Sequence, residues 1–135
     1  MNTLVSAKTI IFRDDGKFLT LRRTETAPHH PLGWDFPGGI IDEGETIEDG
    51  VIREIKEEAG IEITDLNLLG LTSRILDSGK LYIPVMYAAN AKSENITLSY
   101  EHDQFRWVTS GEFLKLGAAK KLKDAVEKLV HESAT

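Results

Sequence analysis

Apolar and polar positions change their period several times along this chain, and each change marks an element. Residues 3 to 13 are rich in Val, Ile, Thr and Phe and predict a strand. Asp14-Asp15-Gly16 is a hairpin turn signal. Lys17 to Arg23 alternates apolar with polar residues and predicts the return strand, with Phe18, Leu19 and Leu21 toward a core. Residues 24 to 33 hold two prolines, two histidines and Gly33, a loop composition, and Trp34-Asp35-Phe36 reads as a short strand ending at Pro37. The period then lengthens: Val51, Ile52, Ile55 and Ala59 recur at helical spacing. Thr46 suits the N-cap of that helix, Glu48 and Asp49 favour its dipole, and Gly60 falls where a left-handed C-terminal cap is expected. Gly50 lies inside it, which predicts another backbone segment packed close. Residues 61 to 76 and 80 to 90 predict two long strands joined near Asp77-Ser78-Gly79, and Phe105 to Val108 a further short one. Leu122, Ala125, Val126, Leu129 and Val130 give Lys120 to Glu132 a helical stripe. The alternation implies an α/β fold, with a mixed β-sheet between helices in an α/β/α sandwich.

Composition narrows the picture. The chain has 135 residues, 41% hydrophobic and 28% charged, with no linker, repeat or composition break, so 1–135 reads as a single folded domain. No apolar run approaches the roughly 20 residues of a membrane helix. The first residues lack the charged region and apolar core of a signal peptide. Cysteine is absent, which excludes disulfides, zinc–thiolate sites and thiol catalysis. A cytoplasmic protein is the expectation. The net charge of −6 argues against a nucleic-acid binder. It equally means that any anionic ligand needs a local positive source, which a bound metal supplies.

The candidate chemistry lies in the long helix. Glu54, Glu57 and Glu58 stand three and four positions apart and share one helical face. Three like charges so placed repel one another, a cost that binding of a hard divalent cation by carboxylate oxygens turns to use. A solvated acidic face held by Arg53 and Lys56 is the competing reading.

Gly39, Glu45 and the run Arg53-Glu54-Ile55-Lys56-Glu57-Glu58-Ala59-Gly60-Ile61 stand at set spacings. Together they resemble the complete Nudix box of MutT-like hydrolases, with every fixed position filled and both bulky aliphatic positions held by isoleucine. The resemblance implies the same sandwich fold. It implies Mg²⁺ or Mn²⁺ held by Glu54, Glu57 and Glu58 and by the backbone carbonyl of Gly38. It also implies that Glu45 and Arg53 pair to orient the acidic helix. Leu32 to Gly39 resembles the family's usual approach to the box. Outside it, Tyr100 to Trp107 resembles the loop from which many members supply a further carboxylate; Glu101 is the best match and Asp103 the second. Either would bind metal or serve as the base that deprotonates water, with Glu54 as another candidate base. Arg22 and Arg23 end a strand aimed at the box, where the resemblance places basic residues near substrate phosphates; a solvated arginine and a structural salt bridge are the alternative. His29 and His30 read as exposed loop residues. Tyr82, Tyr87, Phe105 and Trp107 are either core or platforms for a nucleobase.

The expected activity is metal-dependent cleavage of a diphosphate linkage in a nucleoside diphosphate derivative or a nucleoside triphosphate, oxidised ones included. A non-catalytic nucleotide-sensing or protein-interaction module on the same fold is the alternative. An isomerase of this superfamily would require a nucleophilic cysteine. An apolar strand edge within 63–90 suits a homodimer, and loop 24–33 and the turn at 77–80 suit substrate selection.

Overall fold

A computed structural model of the chain describes residues 3–133. Its elements in order are β1 (Thr3–Phe12), β2 (Phe18–Arg23), β3 (Trp34–Asp35), β4 (Gly38–Ile40), α1 (Ile47–Ala59), β5 (Ile63–Leu71), β6 (Arg74–Ile75), β7 (Leu81–Ala91), β8 (His102–Val108), α2 (Ser110–Leu114) and α3 (Lys120–Ser133). The strands form one mixed sheet with the central order β3-β2-β1-β7-β5; β4 pairs with β1, β6 with β7 and β8 with β2. β1 and β7 run parallel, from Thr3 opposite Leu81 to Phe12 opposite Asn90. The other named pairs are antiparallel.

Strand side chains alternate between faces, and here the two faces bury different cores. Ala7 and Ile11 of β1, Leu19 and Leu21 of β2, and Val85 and Tyr87 of β7 join Val51, Ile55 and Ala59 of α1 in a mainly aliphatic cluster. Ile10 and Phe18, one residue out of step with these, join Trp34, Phe36, Val108, Phe113 of α2, and Leu122 and Val126 of α3. Phe36 and Phe113 stack there with ring centroids 4.9 Å apart, and Phe18 meets both at an angle. The sheet therefore lies between α1 on one face and α2 with α3 on the other, the expected sandwich.

Local chemistry sets the ends of α1. The Thr46 side chain accepts the Asp49 N–H, a cap that contributes about 1 kcal/mol. Gly60 closes the helix in the left-handed region at φ 70°. One member of the expected stripe differs: Ile52 is 48% exposed, because Gly50, Val51, Ile55, Glu58 and Ala59 form the buried side. At Gly50 the close approach comes first from side chains: a Cβ there would meet Ile41 Cδ1 at 2.7 Å and Glu45 Oε1 at 2.8 Å.

Other boundaries moved as well. The expected strand 61–76 divides at residues 72–73 into β5 and β6, and the short strand at 105–108 begins at His102. Strand β4 and helix α2 have too few residues to show a period, and so they left no pattern. Val130 of α3 is 44% exposed. Leu68, Leu71 and Ile75 are exposed along β5 and β6, where β5 ends the central strand order. No helix among the described residues is long and apolar enough to cross a membrane.

Candidate active site

Two glycines bring the sheet against the acidic helix. Gly38 and Gly39 pair with Lys8 and Ala7 across β4 and β1. A Cβ on Gly38 would strike the Ala7 carbonyl, and one on Gly39 would stand 2.6 Å from the Glu54 carboxylate carbon. A side chain at Gly38 would push β4 off β1, and one at Gly39 would push it off the acidic helix, so the spacing of the site depends on both residues.

Arg53 holds the rim of the site. Its Nη2 donates to Glu45 Oε1 at 2.6 Å and its Nε to Glu45 Oε2 at 3.1 Å, a bidentate pair. Its Nη1 donates to Glu54 Oε1 at 3.1 Å and Glu57 Oε2 at 3.3 Å, and Asp42 lies 3.3 Å from Nη2. Glu45 also accepts the Asp42 N–H at 2.7 Å. The arginine bond and then this backbone bond hold the Glu45 carboxyl at about 2. Glu45 and Arg53 thus pair, and Arg53 also reaches two of the three candidate glutamate ligands on α1.

Glu58 lies in the opposite setting. It is 3% exposed, beneath the glycine pair. Among the described residues its carboxylate accepts only the Gly38 N–H, at 3.4 Å to each oxygen. Burial first, then the charge of Glu101 and, after it, that of Glu54 push its pKa up to about 8, against lowering by the Gly38 hydrogen bond and by Lys8. Glu54 is raised by burial, and Glu57 and Glu101 raise it further against the pull of Arg53. The structure therefore brings Glu54, Glu57, Glu58 and Glu101 into one electrostatic neighbourhood. Among the described residues, no three His, Asp or Glu side chains already stand as a cage for a cation. Arg53 engages Glu54 and Glu57 in this arrangement. The donor set fits a hard divalent cation: all oxygen, and with a buried carboxylate short of hydrogen bonds and of compensating charge.

Glu101 arrives by tertiary routing. The segment before β8 is tied to the end of α1, with the Thr97 N–H on the Ala59 carbonyl at 2.9 Å and the Ser99 N–H on the Glu58 carbonyl at 3.4 Å. Asp103, the second match, is instead committed to Arg22, which donates to both its oxygens at 2.8 and 3.0 Å. That bond holds the Asp103 carboxyl below its usual value. Arg23 donates to the His29 carbonyl at 2.8 Å and lies 3.6 Å from Asp35. Asp35 also takes both its oxygens to Lys8 Nζ, at 2.6 and 2.7 Å. Lys8, Arg23 and Asp35 line a cleft of about 620 Å³ together with loop residues 29–33 and the start of α3. His29 and His30 are exposed, as expected.

Two residues of this neighbourhood have no motif to announce them. Lys8 lies within a strand that reads as core, and only the pairing of β1 with β4 puts it beside the site. His102 is buried, its Nδ1 4.0 Å from Glu58 Oε1, and burial pushes its pKa down to about 4. Of the aromatic candidates, Tyr87 is buried in the α1-side core, and the Tyr82 hydroxyl lies 2.7 Å from Ser6 Oγ. Trp107 packs on the α1-side core beneath Arg13, and Phe105 is 41% exposed.

An acidic helix with a supporting arginine, laid under a glycine-paired strand of a mixed sheet, defines a class. The chain matches the NUDIX domain over residues 3–129 and belongs to that family. A MutT-like protein of Streptomyces ambofaciens is 37% identical over 67 residues, covering 50% of this chain and 40% of that protein, so the match spans less than half of that relative. The asymmetrical bis(5'-nucleosyl)-tetraphosphatase of Mus musculus is 30% identical over 116 residues, covering 82% of this chain and 76% of that protein. The crystal structure of the MutT protein from Methanosarcina mazei Go1 superposes with a TM-score of 0.85 at 28% identity, covering 98% of this chain and 96% of that one.

Proposed function

We propose that this chain is a metal-dependent pyrophosphohydrolase that cleaves a phosphoanhydride bond in a nucleoside diphosphate derivative or a nucleoside triphosphate. The observation that carries the reading is Glu58, buried against two further glutamates with a single weak hydrogen-bond donor. An acidic residue is seldom kept in that state without a cation to meet it. Glu54, Glu57, Glu58 and Glu101, with the Gly38 carbonyl, would hold Mg²⁺ or Mn²⁺. When bound, the metal supplies positive charge against the diphosphate and acidifies water at the site.

The chain's own residues do the rest. Glu45 and Arg53 hold the acidic face in place. Glu54 or Glu101 takes the proton from water as its oxygen attacks phosphorus and the bridging P–O bond breaks. Asp103 is a weaker base, because its carboxyl is lowered by Arg22. Arg23 lines the cleft and attracts the substrate phosphates, whereas Lys8 is held on Asp35 and Arg22 braces β8 through Asp103. Loop residues 29–33, on the rim of that cleft, select the nucleoside portion. Two copies would pair through the exposed apolar residues of β5 and β6, which gel filtration with light scattering tests.

Dinucleoside tetraphosphates lead the substrate panel, in view of the mouse relative, followed by nucleoside triphosphates, their oxidised forms, nucleotide sugars and ADP-ribose. Release of phosphate or mononucleotide with Mg²⁺ or Mn²⁺, abolished by a chelator, is the expected result. No release from any of them with either metal would instead support the non-catalytic module.

A further inference from the structure

Strand β8 carries a device that aims an imidazole at the most buried carboxylate of the site. β8 pairs with β2 in strict register from Val108 opposite Phe18 to Gln104 opposite Arg22; the register then shifts, and His102 stands opposite Arg23. One extra residue, Asp103, sits in that shift. Strict alternation from Trp107, on the α1 side, would put positions 105 and 103 toward α1 and turn position 102 away. The bulge reverses this, as bulges beside functional sites do when they re-aim a side chain. His102 turns inward, its side chain is 2% exposed, and its Nδ1 comes within 4.0 Å of Glu58 Oε1.

The Nδ1 atom is a buried polar atom with no hydrogen-bond partner among the described residues. Leaving such a group unpaired costs about 1–3 kcal/mol, so it is seldom tolerated without a use. The Arg22–Asp103 pair clamps the bulge that points it, with distances of 2.8 and 3.0 Å. A distance of 4.0 Å is too long for a hydrogen bond, and a turn of the Glu58 carboxylate that closes it by about 1 Å makes one.

We infer that His102 is a positioning residue: its Nδ1–H donates to Glu58 when that carboxylate turns to ligate the metal, fixing the oxygen that faces the cation. This rests on the reading of Glu58 as a metal ligand. It follows the general rule that ligating groups are themselves oriented by a second hydrogen bond, whose loss weakens metal affinity by about 10–100-fold.

The test is Mn²⁺ affinity, measured by electron paramagnetic resonance of the free ion, in three variants. Asparagine keeps a donor at the position of Nδ1, glutamine moves it out to the position of Nε2, and leucine removes it. His102→Asn is expected to bind Mn²⁺ within about threefold of the wild type, and His102→Gln and His102→Leu about 10–100-fold more weakly. In a Glu58→Gln background, adding His102→Leu should change affinity less than twofold, because the ligating carboxylate that His102 orients is already gone. Circular dichroism reports on folding, and if the leucine variant does not fold, the asparagine–glutamine contrast decides. Equal affinity in Asn and Gln variants, or an undiminished leucine effect in the Glu58→Gln background, overturns the role of His102. A wild type that binds no Mn²⁺ overturns the metal-dependent reading and this one with it. A wild type that binds Mn²⁺ while the variants are indistinguishable overturns this one alone.

Discussion

Arg53 and Glu58 stand little more than a turn apart on α1, yet the fold treats their charges in opposite ways. Around Arg53 every charge is answered: Glu45, Asp42, Glu54 and Glu57 all lie within 3.3 Å, and the Glu45 carboxyl is held at about 2. Around Glu58 almost nothing is answered, and its pKa is pushed up to about 8. Arg53 is held by its partners on every side, whereas Glu58 is buried with little to compensate its charge. An ion pair rich in hydrogen bonds gives orientation, while a buried carboxylate without partners gives affinity for a cation.

The largest effect expected from breaking this contrast is on turnover. Glu58→Gln should lower metal-dependent hydrolysis by about 10³-fold or more while the fold survives, as read by product release and a thermal melt. A variant of undiminished activity that still requires the metal would refute the role given to Glu58. Arg53→Lys is next. It keeps the charge but loses the fork that reaches Glu45 and Glu54 together, so activity should fall about 10–100-fold. The melting temperature should drop by about 2–5 °C. Equal activity in the lysine variant would show that the bidentate geometry is dispensable.

The contrast also predicts a pH dependence with a definite sign. The folded-state pKa of Glu58, about 8, lies above its ordinary value of 4.5. Its contribution to stability is complete below the ordinary value and is lost as pH rises through the folded one. Melting temperature measured in chelator should therefore decline between about pH 4.5 and 8. Mn²⁺ should recover more stability at the alkaline end, and Glu58→Gln should flatten the decline. A profile with the same slope in wild type and variant would remove Glu58 as its source. The smallest effect is at Arg22, which is spent on Asp103: Arg22→Ala should change turnover by no more than about tenfold, through β8. A much larger rise in KM than fall in kcat would instead give Arg22 a direct phosphate contact.

Much of this molecule was legible before any coordinates. The cap at Thr46 and the left-handed Gly60 follow from residue types at fixed spacings within one helix, and the Glu45–Arg53 pair is what the resemblance to the box implied. Such local geometry is repeated wherever the spacing is. The hairpin at Asp14–Gly16 is legible for the same reason, and the burial of both faces at the end of β1 follows from the apolar run Ile10-Ile11-Phe12. Ile52 was misassigned because a stripe read by period alone cannot know how wide a face its neighbours cover.

What the sequence by itself determined, then, is the helix, its carboxylates and the kind of ion they suit, because those depend on neighbours along the chain. What only the tertiary structure decided is which carboxylate loses its water, which loop residue joins it and which cations are already spent. Glu101 and Asp103 carry the same charge two positions apart, and the sequence ranks them only as first and second match. The bulge in β8 binds one to Arg22 and leaves the other facing Glu58 and Glu54. That choice, like the aim of His102, is made by strand pairing between residues some eighty positions apart. The period of two along a strand reveals neither the partner nor the residue at which the register slips.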